Sequence, residues 1–340
     1  MTDCRFLGEG AYGQVLDIGN GQAQKSFERL PSLVQEYVAM RYTKGWPNTL
    51  QTTGADFYHK TLNTELCDTS LRVYIEKHKE PSKKTKYAIF YDIIVALYRF
   101  HFYNIIHADL KPGNILMKEG HAYIGDLGFV SISKYAKVKY TARPYRDPYH
   151  KADHGHDLYS LGIVLAEILL WKRVDHKKIT EEIKSLDKKE IDVILALMDA
   201  NRENRPTVAA LFKYLYNEEP PVLTPKEKFD PESVDIDHRW RKKLERYIVK
   251  TCEAFDIKRS RIGYHAILAY LDEHKISSTY YHLYVPCMLM ILSSVFGKSG
   301  YTEKQVYYVC KRKGFTKDDV LDALTRLCNN RTFVNMLFLE

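Results

Sequence analysis

The chain has 340 residues, of which 45% are hydrophobic and 28% charged, and its formal net charge is +8. This length is comfortable for two compact domains, and the composition excludes a disordered or low-complexity chain. No run of eighteen uncharged apolar residues occurs, which excludes a membrane span, and the first residues lack the apolar segment of a signal peptide.

The net charge and the cysteines indicate possible partners and the cellular compartment. The basic residues are spread along the chain, so the positive charge permits an acidic or nucleic-acid partner without requiring one. The six cysteines are scattered and form no CxxC pair, which is typical of reduced thiols in an intracellular protein of the cytoplasm or nucleus.

The first two thirds of the chain mix strands and helices. Residues 2–62 alternate short strand-like runs and glycines with a single helical stretch. From Lys84 to Phe102 apolar residues recur at helical spacing, which predicts a buried amphipathic helix. Two apolar runs, 115–117 and 122–124, predict a hairpin, and helices are predicted over 158–170, 179–198 and 207–216.

A proline-rich stretch divides the chain. Prolines between residues 219 and 237 predict a linker, because they stop helices. Beyond it, residues 238–340 predict an all-α domain of five helices over 238–256, 260–275, 279–296, 302–312 and 316–330, with the third apolar almost all round. The fold class is therefore α+β followed by an all-α domain.

A glycine-rich motif lies near the start of the chain. Gly8, Gly10 and Gly13 with Val15 form a GxGxxGxV pattern. Glycines let backbone N–H groups approach phosphate oxygens closely, since a Cβ would block the approach. The alternative is a hairpin turn that merely contains glycines, and this pattern alone does not decide between the two.

A second motif is more specific. After the long predicted helix, Asp109, Lys111 and Asn114 fall within six consecutive residues, 109–114, and Asp126 comes twelve residues after Asn114. Asp109 can accept a proton from a hydroxyl, Lys111 can neutralise a phosphoryl group, and the oxygens of Asn114 and Asp126 suit magnesium. The alternative is a polar loop and an ordinary turn. It leaves unexplained why an apolar hairpin joins the two parts.

These motifs resemble those of the eukaryotic protein kinases over about residues 5–217. The resemblance implies a bilobal kinase domain over 1–218, with an N-lobe at about 1–66, a C-lobe at about 67–218, and ATP and Mg²⁺ as cofactors. It identifies Lys25 as the strand-three lysine, with Ala23 beside it, and Glu36 as its ion-pair partner. Backbone groups near Glu65 and Cys67 would hold adenine.

The resemblance also implies the reaction and its departures. Lys111 is typical of the serine/threonine kinases, so the expected substrates are protein hydroxyls. Ala108 replaces the arginine that binds a phosphorylated activation segment, which predicts activity without that phosphorylation. Thr141 resembles the threonine beside the substrate, whereas Tyr135 and Tyr140 are weaker phosphosites. Arg205 lacks its usual glutamate partner, and Asp147 is one candidate to replace it.

The tail resembles a second family. The helix at 31–36 is similar to the PSTAIRE helix of cyclin-dependent kinases, and five helices with a buried third resemble a single cyclin box, with an ion pair of Arg241 and Asp272. This resemblance implies an intramolecular contact that activates the kinase in cis. The alternatives are an unrelated five-helix tail and a docking domain. Binding of nucleic acid through the cluster at 239–246 is unlikely, since such clusters are mostly solvated helix faces.

Two other functional interpretations stay open. One is a pseudokinase scaffold whose tail binds a partner, and the other is a kinase for small molecules, against which Lys111 and Thr141 argue. Compact kinases with fused domains are familiar from large DNA viruses, and such a source would place the protein in a host cell or a virion.

Overall fold

The computed structural model describes residues 4–10, 13–132, 143–149, 153–225, 244, 246–251, 266–267, 270–271, 273–277, 280–295 and 302–338. The chain forms two compact units. Unit 1 comprises Met1–Lys44, Thr52–Thr64 and Lys226–Glu340, and unit 2 comprises Gly45–Gln51 and Glu65–Pro225. None of the described helices is both long enough and apolar enough to cross a membrane.

The strands and helices of the described residues are given in chain order. The strands are β1 (Arg5–Gly10), β2 (Gly13–Gly19), β3 (Gln22–Ser26), β4 (Thr52–Asp56), β5 (Thr61–Glu65), β6 (Thr69–Ser70), β7 (Ile105–Ile106), β8 (Ile115–Lys118), β9 (His121–Ile124) and β10 (Ser131–Ile132). The helices are α1 (Leu30–Tyr42), α2 (Leu71–Lys77), α3 (Lys83–Phe102), α4 (His154–Leu170), α5 (Ile179–Glu182), α6 (Lys188–Leu197), α7 (Val208–Leu211), α8 (Tyr281–Val295), α9 (Glu303–Lys311), α10 (Lys317–Asn329) and α11 (Arg331–Met336).

Unit 1 is built on a five-stranded sheet in the order β1-β2-β3-β5-β4. Strands β2 and β3 are joined by the two-residue turn Asn20-Gly21, with φ of 53° and 69°. Positive φ at both positions is what a type I′ turn requires, and this turn matches the twist of antiparallel strands. The sequence therefore sets this hairpin locally.

Helix α1 is buried on more than one side. It begins with Pro31 in its first turn, where a missing N–H costs no hydrogen bond. Its buried residues are Leu30, Leu33, Val34, Glu36, Tyr37, Val38, Ala39, Met40 and Tyr42. Such a helix needs cover on several faces. Here β4 provides part of the cover, and the C-terminal helices α8, α10 and α11 provide a further part.

The C-terminal helices confirm three of the five predicted ones. Helix α8, predicted over 279–296, is buried from Leu283 to Val295 and packs against α1, α9 and α10. Helices α9 and α10 begin at capping boxes formed by Thr302 and Thr316. Helix α11 was not predicted. Most of the first two predicted helices lies outside the described residues.

Unit 2 confirms the long helix and the hairpin and corrects one helix. Helix α3 begins at the capping Ser82, and β8 pairs with β9 as predicted. The helix predicted over 179–198 is wrong, because the chain forms α5, a 3-10 turn and α6 instead. Leu186 is extended, and Asp187 forms a capping box with Glu190 that starts a new helix. The segment predicted over 207–216 is α7 followed by a π-helical turn.

Candidate active site

The glycine-rich motif lies on the first two strands of unit 1. Gly8 and Gly10 are in β1, Gly13 and Val15 are in β2, and the register pairs Gly8 with Val15 and Gly10 with Gly13. A Cβ at Gly13 would lie 1.8 Å from the Ser26 carbonyl oxygen, so only glycine fits there. The connecting residues 11 and 12 lie outside the described part of the chain.

Unit 1 also brings together the predicted lysine and glutamate. Lys25 lies on β3 opposite Val15, and Ala23 is buried on the same strand. The Lys25 Nζ lies 2.7 Å from Oε2 of Glu36 on α1, and the two side chains are 13% and 5% exposed. An ion pair so shielded from water is held more strongly than one on the surface.

In unit 2, Asp157 at the start of α4 anchors the loop that carries Asp109. Its carboxylate accepts backbone N–H groups from His107 at 2.8 Å and Ala108 at 2.9 Å. Burial alone would raise the pKa of Asp157, but the hydrogen bond to His101 and the nearby imidazoles outweigh burial and lower it. Asp157 therefore stays ionised and holds Ala108 in its left-handed conformation, with φ of 64°.

Asp109 presents one carboxylate oxygen and has the other occupied. Its Oδ2 accepts from Lys111 Nζ at 2.6 Å and from Asn114 Nδ2 at 2.8 Å. Its Oδ1 is buried and has no hydrogen-bond partner within the described structure. A buried acceptor without a partner is costly, and such groups are found where a ligand completes them. Asp109 is thus suited to accept the proton of a substrate hydroxyl.

Asn114 and Asp126 carry oxygen atoms of the kind that a hard divalent cation prefers. Asn114 uses its Nδ2 on Asp109, so its carbonyl oxygen is the atom left for a ligand. The backbone N–H of Gly125 donates to the backbone carbonyl of Asn114 at 2.9 Å, which places Asp126 just beyond the end of β9 beside this loop and leaves the Asn114 side-chain Oδ1 out of that bond. Asp126 is left-handed, with φ of 53°, and such strain at a non-glycine residue collects at functional sites.

The predicted adenine-binding segment leaves β5 at Glu65. The Glu65 backbone N–H bonds to the Gln51 carbonyl at 3.2 Å. Burial, followed by the charge of Glu65, raises the pKa of the Cys67 thiol to about 12. Cys67 is therefore a neutral thiol at physiological pH.

The partner of Arg205 is Asp147. The Arg205 Nη1 lies 2.6 Å from Asp147 Oδ2, and both side chains are fully buried. The Arg202 Nε also lies 3.1 Å from this carboxylate, and Arg202 pairs with Asp153 as well. The sequence predicted Asp147 as a candidate partner of Arg205 but did not predict the contact with Arg202. The sequence signal for Arg202 is its position three residues before Arg205.

Several predicted residues lie outside the described part of the chain. They are Tyr135, Tyr140, Thr141, Arg241 and Asp272. The predictions for the activation segment and for the ion pair in the tail therefore stay predictions.

Unit 1 holds a shielded lysine–glutamate pair next to a glycine-rich hairpin, and unit 2 holds a buried carboxylate beside a lysine and an asparagine. Residues of these types are suited to phosphate chemistry. The family profile described as "Protein kinase domain" matches residues 1–221. The chain belongs to the protein kinase family.

Individual proteins similar to this chain are also named as protein kinases. The chain is 30% identical over 178 residues to the interferon-induced, double-stranded RNA-activated protein kinase of Rattus norvegicus, covering 45% of this chain and 34% of that protein. It is 26% identical over 193 residues to the putative serine/threonine-protein kinase L673 of Acanthamoeba polyphaga mimivirus, covering 49% of this chain and 35% of the relative. The MAPK/MAK/MRK overlapping kinase of Mus musculus is 31% identical over 188 residues, covering 48% of this chain and 44% of the mouse protein. The chain therefore spans less than half the length of these relatives.

Proposed function

We propose that this protein is an ATP- and magnesium-dependent serine/threonine protein kinase. The observation that carries the proposal is Asp109, whose Oδ2 is bound by Lys111 and Asn114 while its buried Oδ1 has no partner within the described structure. A carboxylate fixed in this way can orient a hydroxyl without first having to reorganise.

The mechanism follows from charge and position. Phosphoryl transfer needs alignment and neutralisation of the phosphate oxygens more than covalent help. Asp109 accepts the hydroxyl proton, and Lys111 supplies a positive charge beside it. Lys25, held by Glu36, binds phosphate oxygens of ATP. When bound through Asn114 and Asp126, magnesium would neutralise charge on the phosphates.

The test is transfer of the γ-phosphate from ATP to serine- and threonine-containing peptides by the full chain. Asp109→Asn keeps the size of the side chain but removes the proton acceptor, so we expect turnover to fall by a factor of at least about 100. The matched control is Asp192→Asn, an exposed aspartate of α6. An inactive wild type that still folds would favour the pseudokinase scaffold.

We further propose that the C-terminal helices hold α1 in the position that pairs Glu36 with Lys25. The support is a set of contacts inside unit 1. The Tyr37 hydroxyl donates to Asn329 Oδ1 at 2.6 Å, and Arg41 donates to the Asn329 carbonyl at 3.0 Å. Tyr42, at the end of α1, stacks on Phe338 with the ring centroids 4.2 Å apart.

A second group of contacts ties the same helices to the turn between β4 and β5. The Tyr58 hydroxyl donates to Asp322 at 3.0 Å, and Lys60 lies 3.7 Å from Glu303. These contacts support activation in cis of the kind that the cyclin resemblance predicts. The test is Phe338→Ala in the full chain, followed by measurement of hydrogen exchange in α1 and of kinase activity.

We place the protein inside cells, where thiols stay reduced. The support is that the described cysteines Cys4, Cys67, Cys287, Cys310 and Cys328 are all free. Mass spectrometry of the purified, alkylated protein tests this proposal, because a disulfide formed in the source cell would contradict it.

A further inference from the structure

The segment proposed to bind adenine is tied by its side chains to the β8–β9 hairpin. Lys118, the last residue of β8, lies with its Nζ 2.7 Å from Glu65 Oε2. The other carboxylate oxygen of Glu65 accepts the backbone N–H of Gln51 at 3.3 Å. Glu65 is thus bound from two sides, and the pair is only partly exposed, at 32% for Lys118 and 25% for Glu65.

Backbone bonds continue the attachment along the segment. The Asp68 N–H donates to the Met117 carbonyl at 2.8 Å, and the Asp68 carboxylate accepts the N–H of Glu119 at 2.9 Å. The next strand, β6, pairs with β8 with Thr69 opposite Met117. The attachment at Glu65 includes the Lys118 side chain and Gln51, whereas from Asp68 onward it includes backbone pairing with β8 and the bond from Glu119 to the Asp68 carboxylate.

We propose that Lys118 is a positioning residue for nucleotide binding, and this inference rests on the proposed kinase function. Lys118 does not touch the nucleotide in this proposal. It acts through Glu65, whose backbone groups lie at the adenine-binding segment. Strand β8 begins directly after Asn114, one of the two proposed magnesium ligands, and ends at Lys118. Through its pair with Glu65, Lys118 therefore connects the proposed adenine-binding segment to the strand that follows this ligand.

The electrostatic surroundings agree with this assignment. The hydrogen bond that Lys118 donates to Glu65 raises the pKa of Lys118, and desolvation opposes this effect only in part. The neighbouring groups are Cys67, which is neutral at physiological pH, and Tyr123, whose pKa is raised by burial and by Glu65. Glu65 is therefore the negative group that Lys118 faces at neutral pH.

A merely structural role and a positioning role predict different results. A partly exposed ion pair changes an equilibrium constant by at most about fivefold, so its loss leaves the protein folded. If Lys118 only stabilised the fold, its removal would leave the KM for ATP unchanged. If it positions Glu65, the KM for ATP rises while kcat at saturating ATP and the KM for peptide stay constant.

The experiment compares full-length Lys118→Met with the matched control Lys172→Met, which breaks the surface pair with Glu182 at 3.0 Å. We expect Lys118→Met to raise the KM for ATP about three- to fivefold and Lys172→Met to leave it unchanged. The double variant Glu65→Lys with Lys118→Glu should bring the KM for ATP at least halfway back to the wild-type value, because it restores the attraction between positions 65 and 118. An unchanged KM for ATP in Lys118→Met, or an equal rise in Lys172→Met, would overturn the inference.

A binding measurement separates this inference from the proposed function. Calorimetric titration with a non-hydrolysable ATP analogue and Mg²⁺ needs no catalysis. If the wild type binds the analogue but transfers no phosphate, the proposed function fails, and the affinity ratio of Lys118→Met to wild type still tests the positioning role. Equal affinities would refute it.

Discussion

Replacement of Phe338 by alanine tests whether the C-terminal helices position α1. The Phe338 ring is 5% exposed and stacks on Tyr42, the last residue of α1, with an angle of 26° between the ring planes. Truncation of a buried phenylalanine costs about 3–5 kcal/mol. We expect the lower end, about 3 kcal/mol, because Phe338 lies in a turn and not inside a helix, so the backbone around it can relax into the space.

The effect should appear at α1 before it appears elsewhere. A loss of about 3 kcal/mol corresponds to a factor of roughly 150 in the opening equilibrium, so amide hydrogen exchange in α1 should accelerate by about that factor. Kinase activity should be lost at a lower temperature than in the wild type, since an undocked α1 carries Glu36 away from Lys25. Amides of α3 in unit 2 should exchange as before.

The control is Phe315→Ala, which removes a half-buried ring that packs beside Tyr280 in the same group of helices. We expect it to accelerate exchange near α9 and α10 and to leave the activity profile of the wild type in place. The reasoning is refuted if Phe338→Ala accelerates exchange in α1 while its activity at every temperature matches the wild type. Equal loss of activity in both variants would show general destabilisation instead of positioning.

Four further predictions concern Asp147, Cys67 and Gly162, which lie in unit 2. Asp147→Asn should lower the free energy of unfolding by about 3–5 kcal/mol, measured by urea titration, because it leaves the buried Arg205 without its carboxylate. Burial would raise the pKa of Asp147, but Arg205 outweighs burial and lowers it. The stabilisation by this ion pair is therefore complete above about pH 4 and is lost as the pH falls through the folded-state pKa. A wild type that is equally stable at pH 3 and pH 7 would contradict this prediction. The Cys67 thiol, whose pKa burial raises to about 12, should react with iodoacetamide at pH 7.5 far more slowly than the exposed Cys4, and mass spectrometry of the two peptides checks the order. Gly162→Ala should lower the free energy of unfolding by about 1–3 kcal/mol, because the added methyl would lie 2.8 Å from Cγ of Met198. An unchanged denaturation midpoint would refute this prediction.

Local patterns explain what the sequence could predict. Helix α3 and the β8–β9 hairpin are set by hydrophobic spacing within a few turns. The contacts among Asp109, Lys111 and Asn114 join residues at most five positions apart, so their order alone brings them together. The sequence also contains a signal for the break between α5 and α6, because Asp187 followed by Glu190 is the pattern of a capping box. The apolar spacing over 179–198 nevertheless predicts one continuous helix, and that prediction is wrong.

Distant contacts explain what the sequence could not predict. Asp147 and Arg205 are 58 residues apart, and only the structure shows that Arg202 shares the same carboxylate. The Tyr37 and Asn329 side chains are separated by 292 residues. Neither residue belongs to a motif; asparagine is mostly exposed and tyrosine intermediate in burial, so neither type alone indicates the contact. Only the folded chain shows that they meet.

The burial of α1 determines which experiments can separate positioning from folding. Nine of its thirteen residues are buried, and part of their cover comes from helices within residues 281–336. A chain that ends at residue 218 would expose this surface, so its loss of activity would follow from misfolding as readily as from lost activation. Tyr37→Phe avoids the ambiguity, because it removes one hydrogen bond, worth about 1 kcal/mol, keeps the ring in place and leaves the exposed Asn329 free to bind water. The dependence of the kinase on its C-terminal helices is therefore a question for graded point substitutions in the full chain.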